Sequence, residues 1–170
     1  MSTAGEKDIF LSVIEANKGI IYKIANSYCQ SSEDRKDLIQ EIVSQLWRSF
    51  ANYSDRYKYS TWIYRIALNV AISFYRKENR RKVISSPISE GVFNLSDFDD
   101  DTEKESNLRL LQQFIQELKD LDKALMLLYL EEKNHREIAE IIGITETNVA
   151  TKIGRIKQSL KQKFMNIENN

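Results

Sequence analysis

The stretch Asn134–Phe164, NHREIAEIIGITETNVATKIGRIKQSLKQKF, decides the fold. Asn134 is placed to cap a helix, with Glu137 three residues on where a capping-box acid belongs. Ile138, Ala139, Ile141 and Ile142 give that helix an apolar face. Gly143 stands where a helix stops, because glycine enters the left-handed region without steric cost. Thr145 restarts the chain as the next N-cap. Val149, Ile153, Ile156, Leu160 and Phe164 then repeat at helical spacing as one buried stripe. Thr147, Asn148, Thr151, Lys152 and Arg155 fall off that stripe, and they are residue types that bond base edges and phosphates. The segment reads as a helix-turn-helix. Such hairpins also pack inside proteins that never touch DNA. Lys152, Arg155, Lys157, Lys161 and Lys163 favour DNA, since phosphate neutralisation supplies sequence-independent affinity; Glu137, Glu140 and Glu146 temper it.

The whole chain has 170 residues, 42% hydrophobic and 29% charged, which suits one ordinary globular domain or two small ones. Five glycines and the single Pro87 are too few turn formers for a sandwich or barrel, so an all-α fold is expected. Net charge is zero, which argues against a general nucleic-acid coat and shifts attention to how charge is distributed. The lone Cys29 excludes an internal disulfide framework and a cysteine zinc site, and lies in an apolar-periodic stretch that suits a small core residue. The only histidine, His135, suits a helix start or a phosphate contact better than catalysis. No phosphate loop, catalytic carboxylate pair, nucleophile elbow or metal-ligand spacing is present. The N-terminus MSTAGEKDIF lacks a basic region followed by an apolar run, and no run reaches membrane-spanning length. These features predict a cytoplasmic, non-enzymatic protein without metal, cofactor or direct membrane insertion.

In chain order, Ile9–Tyr28 carries helical periodicity, with Gly19 expected to mark a break or a close crossing between two short helices. Ser31 and Ser32 form a polar connection, and Ser32 or Asp34 is expected to cap the next helix. In Asp37–Phe50, Leu38, Ile42 and Leu46 form one row, widened by Ile39, Val43, Trp47 and Phe50. Asp37, Gln40, Glu41, Gln45 and Arg48 lie largely outside. That polar cluster suits either a solvated face or a docking surface for a basic partner helix, and amphipathicity does not choose. Ala51–Ser60 breaks the period and mixes three tyrosines with Arg56 and Lys58.

A long helix is expected from Trp62 to about Lys82, capped by Ser60 or Thr61. Trp62, Ile66, Val70, Ala71 and Phe74 should face inward, and Arg65 and Asn69 share another face. Its end is basic: Arg76, Lys77, Arg80, Arg81 and Lys82 against Glu78. Aromatics interleaved with cations suit unpaired nucleic acid, whereas core packing and the helix dipole explain the same residues more plainly. From Val83 to Ser106 the pattern collapses into a segment ending DFDDDTEKES, read as a flexible acidic linker. Such a linker serves as a solvated spacer or places its acids where a partner's channel takes phosphates. Leu108, Leu111, Ile115 and Leu118, then LDKALMLLYLEE at Leu121–Glu132, resume the helical pattern. The chain thus divides into two small helical domains, 2–82 and 107–170, joined by 83–106.

Taken together, these motifs resemble a bacterial RNA polymerase sigma factor of the extracytoplasmic-function group, over nearly the whole chain. DLIQEIVSQLW (37–47) is similar to the family's polymerase-binding helix. STWIYRIALNVAISFYRKENRR (60–81) is similar to the segment that reads and opens the −10 promoter element. LDKALMLLYLEEKNHREIAEIIGITETNVATKIGRIKQSL (121–160) is similar to the −35-binding module. Three such motifs in order, across a degenerate linker, are far more specific than any one.

The resemblance implies a sigma region 2-like bundle and a region 4-like helix-turn-helix domain. It implies that Asp37, Gln40 and Glu41, with Gln45 and Trp47, dock on the polymerase β′ coiled coil. The loop Asn52–Tyr59 would take a flipped-out base, involving Asn52, Tyr53, Arg56, Lys58, Tyr59 and Trp62. Arg65 and Asn69 would face the opening duplex, with Arg76 and Arg80 beyond. His135, Arg136, Thr145, Thr147, Asn148, Thr151, Lys152 and Arg155 would meet the −35 element. Implied partners are core RNA polymerase (β′ coiled coil and β flap), promoter DNA and an anti-sigma factor.

The chain departs from the family pattern in four places. Lys119 and Asp120 stand where a proline is frequent, and Lys133 or Asn134 where a glycine is. Ala150 replaces a common lysine and Ser73 a common aspartate. Two other readings remain: a sigma-mimicking adaptor that sequesters an anti-sigma factor, and a stand-alone helix-turn-helix regulator. The basic helix end and Lys152–Lys163 disfavour the first, and the second leaves Asp37–Phe50 unexplained.

Overall fold

The computed structural model describes residues 3–85 and 103–170 and, among them, seven α-helices and no strand. They are α1 (Thr3–Tyr28), α2 (Ser32–Phe50), α3 (Tyr59–Ser85), α4 (Glu103–Glu117), α5 (Asp120–Leu130), α6 (His135–Ile142) and α7 (Glu146–Glu168). Helix therefore extends into both ends of the segment read as linker, and the rest of that reading, 86–102, lies outside the described residues.

The expected break at Gly19 is absent, because α1 is one helix of 26 residues. An interior glycine costs a helix about 1 kcal/mol relative to alanine. Burial of Phe10 and Val13 before it, and of Ile21, Ile24 and Ala25 after it, outweighs that cost. Gly19 is not a close crossing either, since an added Cβ meets nothing within 4 Å. Gly19→Ala is therefore expected to stabilise the protein by about 0.5–1 kcal/mol, read as a higher midpoint in a urea melt. A lower midpoint would contradict the open surroundings.

The cap of α2 is Ser31, not Ser32 or Asp34: its hydroxyl oxygen accepts from the Asp34 backbone N–H. Leu38, Ile42 and Leu46 are fully buried on α2 as the row predicts. Trp47 stays 44% exposed, its ring edge-on to Phe10 at 5.0 Å.

Helix α3 starts at Tyr59, before the caps expected at Ser60 or Thr61. Its deepest residues are Ile63, Tyr64, Ala67, Leu68 and Ala71, whereas Trp62, Ile66, Val70 and Phe74 are only partly buried. The reason is that α3 is covered on two sides, by α1 and α2 and by α5 and α6, so no single stripe describes it.

In the second half, Phe114 and Ile115 of α4 are buried while Leu108 is 55% exposed. Phe114 meets the Phe164 ring edge-on at 5.1 Å, tying α4 to the end of α7. Ala124, Leu125, Met126 and Leu128 make α5 the central helix, in contact with α3, α6 and α7. The buried residues of both halves join into one contiguous core.

Between α5 and α6 the chain turns without glycine. Lys133 N–H bonds the Leu128 carbonyl and Glu132 N–H the Tyr129 carbonyl, the pair of bonds that closes a helix through a left-handed residue. That residue is Glu132, at φ 59, so the demand for glycine falls one position before Lys133.

Candidate functional site

The helix-turn-helix forms as its punctuation dictates. Asn134 and Glu137 make a reciprocal capping box, Gly143 is left-handed at φ 83, and Thr145 caps α7 by accepting from Asn148 N–H. Ile138 and Ile141 pack with Val149, Ile153, Ile156 and Leu160 in the interior. This fixes the rotation of α7 and leaves Thr147, Asn148, Thr151 and Arg155 exposed, with Lys152 partly so. Two side chains of the site already have local bonds: the Thr151 hydroxyl donates to the Thr147 carbonyl at 3.0 Å, and the Thr145 oxygen serves the cap. His135 and Arg136 are exposed at the start of α6, where Arg136 also lies 3.8 Å from Glu140. The Lys157 ammonium sits 4.0 Å from the centre of the Tyr129 ring, bracing α7 against α5.

In the first half, α2 and α3 enclose an open groove of about 1160 Å³. Asp37, Gln40, Glu41 and Gln45 line one wall, Asn69 and Lys77 the other. Residues expected to dock polymerase thus share a groove with one expected to face DNA. Adjoining it along α2 lies an apolar groove of about 660 Å³ that includes Phe10, Leu11, Val43 and Trp47, with Gln40 and Ser44 common to both. Leu11, 52% exposed, escapes a reading of the sequence, because periodicity in α1 marks a face without showing whether another helix covers it.

The loop before α3 is an aromatic cluster. Tyr53 stacks on Tyr59 at 4.4 Å and meets Trp62 edge-on at 5.3 Å, and its hydroxyl donates to the Tyr57 carbonyl. Burial, with Tyr59 and Asp55 nearby, raises the Tyr53 phenol above its ordinary pKa. Tyr57 holds two guanidiniums against its ring, Arg65 at 5.5 Å and Arg56 at 5.9 Å. Tyr57 lies within the loop expected to take a base but is not singled out in it, and its contact with Arg65 appears only where loop and helix meet. Asn52, Arg56 and Lys58 are exposed around this cluster. Arg76 and Arg80 lie farther along α3, but Arg76 Nε is held 2.8 Å from Asp120 Oδ2 of α5.

Among the described residues no cluster of His, Cys, Asp and Glu is arranged to hold a metal ion, and no helix is long and apolar enough to cross a membrane.

The helix-turn-helix of α6 and α7 and the polar groove of α2 and α3 are thus separate exposed surfaces. The family described as Sigma-70 region 2 matches residues 13–81, and Sigma-70, region 4 matches residues 108–160. The chain is 26% identical over 173 residues to the ECF RNA polymerase sigma factor SigW of Bacillus subtilis, covering 96% of this chain and 92% of that one. It is 27% identical over 150 residues to RNA polymerase sigma factor SigV of the same organism, covering 88% and 87%. Its fold is that of CnrH, solved in complex with the cytosolic domain of CnrY (TM-score 0.66, 16% identity, 95% and 90% covered). It is also that of RpoE from Bartonella quintana, solved with the anti-sigma factor NepR (TM-score 0.62, 20% identity, 92% and 94% covered). The chain belongs to the sigma-70 family of RNA polymerase sigma factors, within the extracytoplasmic-function group. Its function is that of a sigma factor, acting with core RNA polymerase at promoter DNA in transcription initiation.

Proposed function

We propose that the chain divides this work between 2–82, which docks polymerase and opens the −10 element, and 107–170, which anchors on the −35 element, with 83–106 as the tether. The supporting observation is the α2–α3 groove, where Asp37, Gln40, Glu41 and Gln45 line one wall and Asn69 the other, on two helices packed together. A polymerase helix docked on that wall is thereby fixed relative to the DNA-facing side of α3. Arg65, backed by Tyr57, and the Tyr53–Tyr59–Trp62 cluster supply cations and ring faces for an unpaired strand. Capturing an unstacked base offsets part of the melting cost, a few kcal/mol by analogy with base-flipping enzymes. Thr147, Asn148, Thr151, Lys152 and Arg155 enter the −35 major groove, flanked by His135, Arg136 and Thr145. The second domain meets the β flap.

The protein works without catalytic chemistry or cofactor of its own, in the cytoplasm. An anti-sigma factor restrains it, a reading supported by the complexes in which CnrH and RpoE were solved.

The docking face is tested by combining Gln40→Ala with Glu41→Lys. Affinity for core polymerase is expected to fall at least about tenfold, roughly 1.4 kcal/mol, while the melting curve stays put, because both side chains are exposed. Unchanged affinity would remove the assignment.

A further inference from the structure

We infer that Tyr57 is a positioning residue, whose ring holds Arg56 and Arg65 together as one cationic pair for the phosphates of the unpaired −10 strand. The Arg65 guanidinium lies 5.5 Å from the centre of that ring and the Arg56 guanidinium 5.9 Å, both within reach of a cation–ring attraction. The two arginines come from different elements, Arg56 from the loop after α2 and Arg65 from the second turn of α3. Among the described residues neither guanidinium has a carboxylate within ion-pair distance. Other arginines of the chain differ: Arg76 is tied to Asp120, Arg81 to Glu78 and Arg136 to Glu140.

A carboxylate would fix Arg65 but would also neutralise it and occupy its N–H groups. A ring face fixes it and leaves those N–H groups free for phosphate oxygens. Two like charges beside one ring also repel, and the negative ring face offsets that only in part. An anion arriving beside them relieves the remainder, which suits the pair to phosphate. The backbone that carries the ring is itself held at both of its polar groups. The Tyr57 carbonyl accepts from the Tyr53 hydroxyl, and the Tyr57 N–H donates to the Ser54 carbonyl at 3.4 Å. Tyr53 is in turn stacked on Tyr59 at 4.4 Å and edge-on to Trp62 at 5.3 Å, both on α3. The aromatic cluster at the start of α3 therefore sets where Tyr57 stands, and Tyr57 sets where the two cations stand. An arginine already held by a ring loses less rotamer freedom on meeting DNA than one that is free in solvent.

The positioning role rests on the proposed role of Arg65 at the opening duplex, and the test separates the two. Holoenzyme made from core polymerase and each full-length variant is titrated with a forked oligonucleotide whose −10 strand, taken from a promoter of the chain's own genome, is unpaired. Tyr57→Leu and the polar ring-less variant Tyr57→Gln are expected to weaken fork binding about three- to tenfold. Helix content and melting midpoint should stay put, because Tyr57 is a half-exposed loop residue. Tyr57→Phe keeps the ring and is expected to bring binding back to within about twofold of wild type. In an Arg56→Ala, Arg65→Ala background, adding Tyr57→Leu should weaken the fork no further, since a residue that acts through those cations has nothing left to hold. Losses that add in that triple variant overturn the positioning role, as does a Tyr57→Phe no better than Tyr57→Leu. Wild-type fork binding in both ring-less variants, with Arg65→Ala impaired, overturns it too while sparing the role of Arg65. Arg65→Ala binding the fork as tightly as wild type would remove the DNA role of Arg65 and the positioning role with it.

Discussion

Leu128→Ala is expected to destabilise the protein by about 2–5 kcal/mol, the largest loss foreseen for any of these substitutions. Leu128 is fully buried on α5, the helix that touches α3, α6 and α7. Truncation removes apolar area and leaves a cavity among the helices packed on α5. The urea midpoint should fall accordingly, and −35 duplex binding should fail at temperatures where the wild type still binds. A loss below about 1 kcal/mol would mean that α5 adjusts freely and does not organise the second half of the core.

Arg155→Ala is expected to weaken binding to the −35 duplex by about 1–3 kcal/mol. Arg155 is exposed on α7 because the buried stripe through Val149, Ile153, Ile156 and Leu160 fixes the rotation of the helix. A loss confined to the cognate sequence identifies a base contact. A loss equal on all sequences, with a shallower salt slope, identifies a phosphate contact. Unchanged binding to cognate and random duplex alike would remove Arg155 from the interface.

The helix-turn-helix is legible in the sequence because its signals are local. A cap and its partner lie three residues apart, and Gly143 answers a demand of its own backbone. The same holds for the row Leu38, Ile42 and Leu46, where one covered side gives one stripe. Elsewhere the deciding contacts join distant parts of the chain. Gly19 reads as a break because periodicity does not weigh the burial on either side of it. Periodicity also misplaces the deep face of α3, because α5 and α6 cover a second side of that helix. Phe114 outranks Leu108 only because Phe164, fifty residues on, is there to meet it. On the surface, the exposed polar residues of α7 and Asp37, Gln40 and Glu41 of α2 are legible from the apolar rows they fall off, and the family resemblance adds the roles expected of them. Tyr57 and Leu11 emerge only from the packed arrangement of loop and helices. Asp120 gives no sequence signal of its ion pair, since Arg76 lies in another helix, on the far side of the linker segment.

At the centre stands the reading that this chain brings polymerase to promoters and opens them with α3 and the loop before it. Purified protein and core polymerase, incubated with promoter templates from the chain's own genome, test it through run-off transcription with permanganate probing of −10 thymines. Transcripts from discrete start sites and reactive thymines are expected only when both chain and core are present. The absence of any promoter-specific transcript or reactive −10 thymine, with core binding intact, would contradict that reading.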